Sequence, residues 1–573
     1  MRRFFLWCDA LCAAFFFTSV SAQIPDAADL DETQRLRQQE RAAQLRQQLE
    51  SKPDVRLPPL VATRALRLPL AESPCFVIHR ISLVGEMSER FSEITDSADY
   101  AADGRHDAIF NRCIGVISIG VVIRRIQNEL VRRGFVTTRV LAGPQELSKG
   151  VLTLTLVPGR VRAIRFAEGT ATRATIMNAT PLRTGDLLNL RAIEQTLENL
   201  KRVPTTEADI RIEPVDTKGA QPGDSDMVIQ WRQRFPFRVN LYTDNSGLDS
   251  TGRYQGGLTL SYDHALTLND LFYVSFNRNL FDQAPGPRGT NSNTVHYSLP
   301  FGYWLLSATA GNSQYRQAVA GVNSTTIFSG ESTNQELKLS RILARDANSK
   351  TIAYLSAWAK QARNFVGDLE IAVQRRQLGG FEAGFTHRQV LRSATLDVNA
   401  GYRHGSDVFG HHPLLNESVE GSTRPQILQV GALYNQPFAI AAQRFRYTLA
   451  MRAQYPWTSL LPQDRFSIGS RFSVRGFDEQ RMLSADRGWL VRNDLGVSLG
   501  RSGQEVYLGL DYGEVSGRHS EQLAGKHLAG LAFGLRGGAQ GVAYDVFAGR
   551  ALSAPVGFST QGLNVGFSLS WSY

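Results

Sequence analysis

From Leu563 to Tyr573 every second residue is large and apolar: Leu563, Val565, Phe567, Leu569, Trp571 and Tyr573 share one face, with Asn564, Gly566, Ser568, Ser570 and Ser572 between them. A period of two excludes a helix face and demands a strand in a sheet with one greasy side. In a soluble sandwich that side meets a second sheet, whereas in a membrane barrel it meets lipid and the small polar residues line the lumen. Other segments repeat the pattern. Phe445, Tyr447, Leu449, Met451, Ala453 and Tyr455 alternate with Arg446, Thr448, Arg452 and Gln454; Leu396, Val398, Ala400 and Tyr402 with Asp397, Asn399 and Arg403; Val506, Leu508, Leu510 and Tyr512 with Tyr507, Gly509, Asp511 and Gly513. Each stripe approaches the roughly 9–11 residues that a tilted strand needs to cross the hydrocarbon, so the sequence favours a barrel.

Composition agrees. Hydrophobic residues make up 42% of the chain, and after the first twenty or so residues no uninterrupted apolar run is long enough for a membrane helix, so any spanning falls to strands. The net charge of +10 is spread along the chain rather than gathered in one patch, which argues against a nucleic-acid partner. Arg2 and Arg3 precede an apolar stretch from Phe4 to Val20, and Val20-Ser21-Ala22 forms a small-residue cleavage site before Gln23, so residues 1–22 read as an export signal. The residues before Cys12 make no lipid-attachment box. Cleavage between Ala22 and Gln23 leaves Cys75 and Cys113, which in an oxidising compartment are expected to form a disulfide contributing roughly 3–4 kcal/mol. Neither has a histidine or further thiol at metal-ligand spacing.

Residues 29–52 change character. Asp31-Glu32-Thr33-Gln34 reads as a capping box, followed to Glu50 by strong helix formers with only Leu36, Leu45 and Leu49 as repeated apolar positions. A helix polar all round belongs in water or in a polar channel, as a solvated linker or as a plug inside a wet barrel. Residues 53–73, with Pro53, Pro58, Pro59 and Pro69, read as an extended tether. Two α+β modules follow, at 74–159 and 160–234. The first is expected to contain a strand Phe76–Val84, a helix Val121–Arg133 ending at Gly134, and strands Thr137–Ala142 and Val151–Val157. The second is expected to contain a strand Val161–Phe166, a helix Leu190–Leu200, and strands Ile210–Glu213 and Met227–Trp231.

These residues carry a resemblance. Cys75-Phe76 with Ile78 and Ile81, Cys113-Ile114-Gly115, the run Arg133 to Val140, Gly150-Val151-Leu152 and Val157-Pro158-Gly159 resemble the first periplasmic POTRA domain of the outer-membrane transporters of two-partner secretion (the TpsB type). Leu188 to Arg191 and Leu200 to Pro204 resemble the second. Asp244-Asn245-Ser246-Gly247 followed by Thr251 to Gln255 resembles the barrel entry of the haemolysin-transporter branch. Val474-Arg475-Gly476-Phe477 is similar to that family's inward-folded sixth extracellular loop, and Tyr507 to Gly513, with Gly509 and Gly513, to the strand that receives its tip.

The resemblance implies two POTRA domains in the periplasm, a barrel of about 16 antiparallel strands over 235–573 in the Gram-negative outer membrane, and an N-terminal plug helix. It also implies an Arg475 to Asp511 contact that pins the loop in the pore. Its implied function is secretion of a large partner exoprotein (a haemolysin, adhesin or contact-dependent toxin), unfolded and without nucleotide hydrolysis, after POTRA recognition of the partner's N-terminal secretion domain. The alternative within the superfamily is an outer-membrane protein assembly factor. The expected partners are that exoprotein, outer-membrane lipid and the barrel-assembly machinery that inserts the chain, which is expected to act as a monomer with no nucleic acid, metal or cofactor. No GxSxG, HExxH, CxxC or phosphate-loop pattern supports an enzyme. His404, His411 and His412 near Asp407 are the one loop cluster that could bind metal, and their spacing does not converge ligands.

Overall fold

The computed structural model describes residues 27–50, 53–57, 67–101, 104–171, 173–215, 221–281, 288–320, 325–410, 421–478, 480–518, 520–558, 560 and 562–573. The export signal with Ala22 and Gln23, and His411 and His412, lie outside these. Of the remaining loop cluster, Asp407 is paired with Arg424 at 2.8 Å.

Sixteen antiparallel strands close into a barrel. In chain order they are β1 (Phe237–Asp244), β2 (Gln255–Asp263), β3 (Leu271–Asn279), β4 (Gly289–Phe301), β5 (Trp304–Ala320), β6 (Thr325–Arg345), β7 (Ser349–Val366), β8 (Arg376–Leu391), β9 (Ala394–Gly405), β10 (Gln426–Ile440), β11 (Gln443–Pro456), β12 (Arg487–Ser498), β13 (Glu505–Ser516), β14 (His527–Ala539), β15 (Val542–Ser553) and β16 (Asn564–Ser572). A two-residue strand, Leu369–Glu370, extends β7 at its far end. The predicted stripe at the chain's end is β16, with Val565, Leu569 and Trp571 turned outward and Asn564 buried inside. In β13, Leu508, Leu510 and Tyr512 are exposed on the outer face while Tyr507 and Asp511 are buried. Strand parity alone therefore sorts apolar residues to the outside and polar ones to the lumen.

The cylinder has one short join. Between β16 and β1 the ladder covers only Asn240–Asp244 against Ser568–Ser572, continued at one end by a backbone pair between Val239 and Tyr573. At the other end the Asn245 side chain takes over, donating to the Val565 carbonyl at 2.8 Å and accepting from the Phe567 N–H at 2.9 Å.

Below the barrel are two sheet-and-helix modules. In each, the first strand runs parallel to the last, and the intervening strand lies antiparallel on the last strand's other side: Arg80–Val84, Val151–Val157 and Arg139–Leu141 in one; Val161–Phe166, Ser225–Gln233 and Thr206–Pro214 in the other. Helix α2 (Val116–Arg132) covers the first sheet with Val121, Val122, Ile126 and Leu130 buried in its core, and α3 (Leu190–Leu200) covers the second. Cys75 and Cys113 form a disulfide where the short strands Phe76–Ile78 and Arg112–Ile114 pair.

Four local expectations are corrected. The strand expected over Phe76–Val84 is broken at His79, because its first half pairs with Arg112–Ile114 and its second with Val151–Val157. Helix α2 starts five residues before the expected Val121, since Glu72 from the preceding segment accepts from the N–H groups of Gly115 and Ser118 and so caps it from a distance. Helix α1 (Ala27–Leu49) begins ahead of Asp31, which places the supposed capping box inside the helix. Nor is the Pro-rich stretch a free tether: Leu68 is buried in the first module, and residues 54–57 are held against the second.

The first module is fastened by an ion pair between the buried Arg125 and the partly buried Asp107. Arg125 donates to Asp107 and to the carbonyls of Ala98 and Asp107 at 2.7 and 3.1 Å. Burial works against ionisation of Asp107, but the Leu68 N–H and the Arg125 and Arg112 guanidiniums outweigh it and hold its carboxyl below the usual aspartate value of 3.8. A depressed folded-state pKa contributes stability above the unfolded value that is lost as pH falls through the folded one. Asp107→Asn is expected to lower the stability of this module by about 2–3 kcal/mol at pH 7. Urea-dependent protease cleavage of the module measures this, and the deficit should shrink below about pH 4.

Candidate functional site

The loop between β11 and β12 folds into the lumen. Its stalk is a hairpin, Phe466–Ile468 against Leu483–Ala485, and its tip carries Val474, Arg475, Gly476 and Phe477. Arg475 is 3% exposed and Asp511 1%, so their contact is made away from bulk water. The Arg475 guanidinium grips Asp511 in two places, Nε to Oδ2 at 2.6 Å and Nη2 to Oδ1 at 2.7 Å, and its backbone N–H donates to Oδ2 at 3.0 Å. Such a planar fork on a desolvated carboxylate fixes orientation as well as position.

The pair is one link of a longer chain of charge that the sequence does not announce. Arg475 Nη2 also donates to Asp494 on β12 at 2.5 Å. Asp494 accepts from Arg536 on β14 at 3.1 Å, Arg536 binds Glu505 on β13 at 2.8 Å, and Glu505 meets Arg446 on β11 at 2.7 Å. Acid and base alternate, so each buried charge has a counter-charge on both sides or one side and water on the other. The signal available in the sequence is weak: each of these residues sits at the lumen parity of its own strand, but nothing local says which of them meet.

The wall beneath the loop is cut away by glycines. A Cβ on Gly509 would strike the Arg475 guanidinium, one on Gly513 would lie 2.9 Å from Ile468, and one on Gly530 would overlap the Arg475 carbonyl. Gly476 itself has φ of 101° and passes so close to β15 that a Cβ would stand 2.5 Å from the Arg550 carbonyl. It is required by both backbone conformation and space. Val474 and Phe477 are buried with Ile468, Leu483, Leu490, Val515, Leu528 and Phe558 in an apolar cluster at the loop's base. Arg471 reaches the short join of the barrel, donating to Asn245 at 2.9 Å and to the Phe567 carbonyl at 3.2 Å.

Helix α1 lies beside this loop inside the lumen. Arg35 donates to Asn364 on β7 at 2.6 Å, Arg41 to Gln255 on β2 at 2.8 Å and Arg46 to Glu336 on β6 at 2.8 Å, while Glu40 accepts from Ser470 of the loop at 3.0 Å. These partners sit on opposite parts of the wall. The second module closes the near end: α3 carries Glu194 and Glu198, which pair with Arg345 at 3.2 and 2.9 Å at the β6–β7 turn.

Residues 223–537 match the family model described as haemolysin secretion/activation protein ShlB/FhaC/HecB. The chain belongs to that family. POTRA models match the two modules, a ShlB-type one at 76–159 and another at 160–214. Outer membrane transporter CdiB-2 of Burkholderia pseudomallei strain 1026b is 35% identical over 515 residues, 87% of this chain and 86% of the relative. Hemolysin transporter protein HpmB of Proteus mirabilis is 23% identical over 430 residues, 74% of each. The solved structure of CdiB from Acinetobacter baumannii superposes with a TM-score of 0.81 at 30% identity, covering 95% of this chain and 99% of that one. As a member of the ShlB/FhaC/HecB family, this chain is an outer-membrane transporter of two-partner secretion whose POTRA domains lie in the periplasm and whose partner is a secreted exoprotein.

Proposed function

We propose that the chain passes its partner exoprotein through the barrel in unfolded form, from periplasm to cell surface, without nucleotide hydrolysis. The observation that carries this reading is the contrast between the two lumen elements. The loop tip is joined to the wall by a buried bidentate ion pair and the charge lattice around it, whereas Arg35, Arg41 and Arg46 of α1 reach the wall through partly buried hydrogen bonds, beside the buried side chains of Gln34, Leu36, Arg37 and Leu49. In this reading the loop stays and α1 leaves, opening a wet passage whose wall is already polar. POTRA recognition of the partner's N-terminal secretion domain fits the exposed edge strand Arg139–Leu141, to which an extended segment can add. The apolar side of α2 is committed to its own core. Folding of the exoprotein outside the cell makes return unfavourable.

The outward apolar face meets outer-membrane lipid, one closed barrel suffices for a monomer, and the barrel-assembly machinery inserts it. The test is removal of this chain from its own cell. The partner exoprotein is expected to accumulate in the periplasm and vanish from the surface, as read by fractionation and immunoblot; unchanged surface display refutes the reading.

A further inference from the structure

The segment between α1 and the first POTRA domain is held at the pore mouth in a way that says what else can bind there. Residues 54–57 run along α3, antiparallel to it. The Val55 N–H donates to Glu198 Oε1 at 3.0 Å and the Leu57 N–H to Glu194 Oε1 at 2.9 Å. Two residues of extended chain span about 6.6 Å, and one turn of helix between Glu194 and Glu198 rises about 6 Å. The two carboxylates are therefore spaced to accept alternate backbone N–H groups of any extended polypeptide. On the other side, Arg345 donates to the Val55 carbonyl, and the Ala347 carbonyl accepts from Arg56 at 2.7 Å. The Val55 and Leu57 side chains pack against the core of the second POTRA domain.

Both carboxylates already have counter-charges. Glu194 pairs with Arg191 at 2.6 Å and with Arg345, and Glu198 with Lys350 at 2.5 Å and with Arg345. Both carboxylates are almost fully buried, with side-chain exposures of 0% and 5%. An occupant therefore needs no positive charge. It needs backbone N–H groups two residues apart and apolar side chains at those positions.

We infer that Glu194, Glu198 and Arg345 form a binding cleft for extended polypeptide at the periplasmic mouth of the pore. Residues 54–57 are its resident occupant, and an extended apolar stretch of the exported chain replaces them during transport. The inference deepens the transport reading and rests on it for the identity of the second occupant. The cleft itself is testable without transport. Recognition runs through the backbone, so it suits a transporter whose cargo presents many different sequences as it threads. Because α1 and residues 54–57 are one chain, displacing the segment also loosens the end of α1 from which it departs.

The experiment uses the full chain in detergent with a photo-crosslinking amino acid at position 347, and a labelled synthetic peptide of residues 52–58 as probe. In the double variant Val55→Pro/Leu57→Pro the resident segment loses both donated N–H groups and keeps its extended form. Labelling by the probe is expected to rise about tenfold or more over the chain with its native segment, for two hydrogen bonds to charged groups removed from the internal competitor. A probe carrying proline at the same two positions is expected to label neither chain. Equal labelling by the two probes, or no rise in the double variant, overturns the cleft and leaves the transport reading standing. Normal periplasmic clearance of the exoprotein in cells lacking the transporter overturns the transport reading and leaves the cleft standing.

Discussion

Arg475→Ala is expected to abolish surface delivery of the exoprotein while the barrel remains folded and inserted. The substitution removes the fork that holds Asp511 and one of the two guanidiniums on Asp494, leaving Asp511, at 1% exposure, without its bidentate partner. Stripping one member from a buried pair costs about 3–5 kcal/mol. That energy is concentrated at one tip, whereas the barrel is held by ladders along sixteen strands, so the loop is released long before the cylinder fails. Arg475→Lys keeps the charge but offers one point instead of a planar fork, and is expected to fall between wild type and alanine. Culture-supernatant immunoblots measure secretion, and heat-modifiable gel migration of the same cells measures the folded barrel. Normal secretion by the alanine variant sinks the pinned-loop mechanism.

Deleting residues 27–50 is expected to raise single-channel conductance several-fold and to replace intermittent openings with a steady current. Helix α1 stands across the lumen with partners on β2, β6 and β7, so removing it clears lumen that the helix occupies. The Arg46 to Glu336 pair that helps hold it is 38% and 28% exposed, which makes it sensitive to screening. In the intact chain, raising salt from about 0.1 to 1 M shortens the Debye length from about 10 to 3 Å. Openings are therefore expected to become more frequent with salt beyond the rise in bulk conductivity. Planar-bilayer recordings measure both effects, and equal conductance with and without the helix eliminates the plug.

How far the sequence reveals this architecture depends on the range of the physics involved. Strand parity is a property of neighbours in the chain, which is why β16 and β13 can be read almost residue by residue and why alternation alone sends Asp511 to the lumen side. The strand Val151–Val157 and the helix Leu190–Leu200 are equally legible, because turn residues bound the one and a clear apolar stripe runs through the other. The start of α2 is not, since Gly115 offers no capping side chain and the cap comes from Glu72, 46 residues before Ser118. The charge lattice around Arg475 is only half visible. Family resemblance names Arg475 and Asp511, but Asp494, Arg536, Glu505 and Arg446 come from four different strands and meet only when the cylinder closes. Glu194 and Glu198 escape notice because a helix with two carboxylates a turn apart ordinarily turns them to solvent, and only the barrel above it makes that face an interior.

The short closure between the first and last strands has a mechanical meaning. Every other neighbouring pair among the sixteen shares a longer run of backbone bonds, so a load that widens the ring falls first on the stretch from Asn240 to Asp244. The clasp just beyond the end of that stretch, the Arg471 guanidinium on Asn245 and Phe567, belongs to the loop inside the pore and not to the wall. A hoop whose buckle is held from within stays shut only while its contents stay in place.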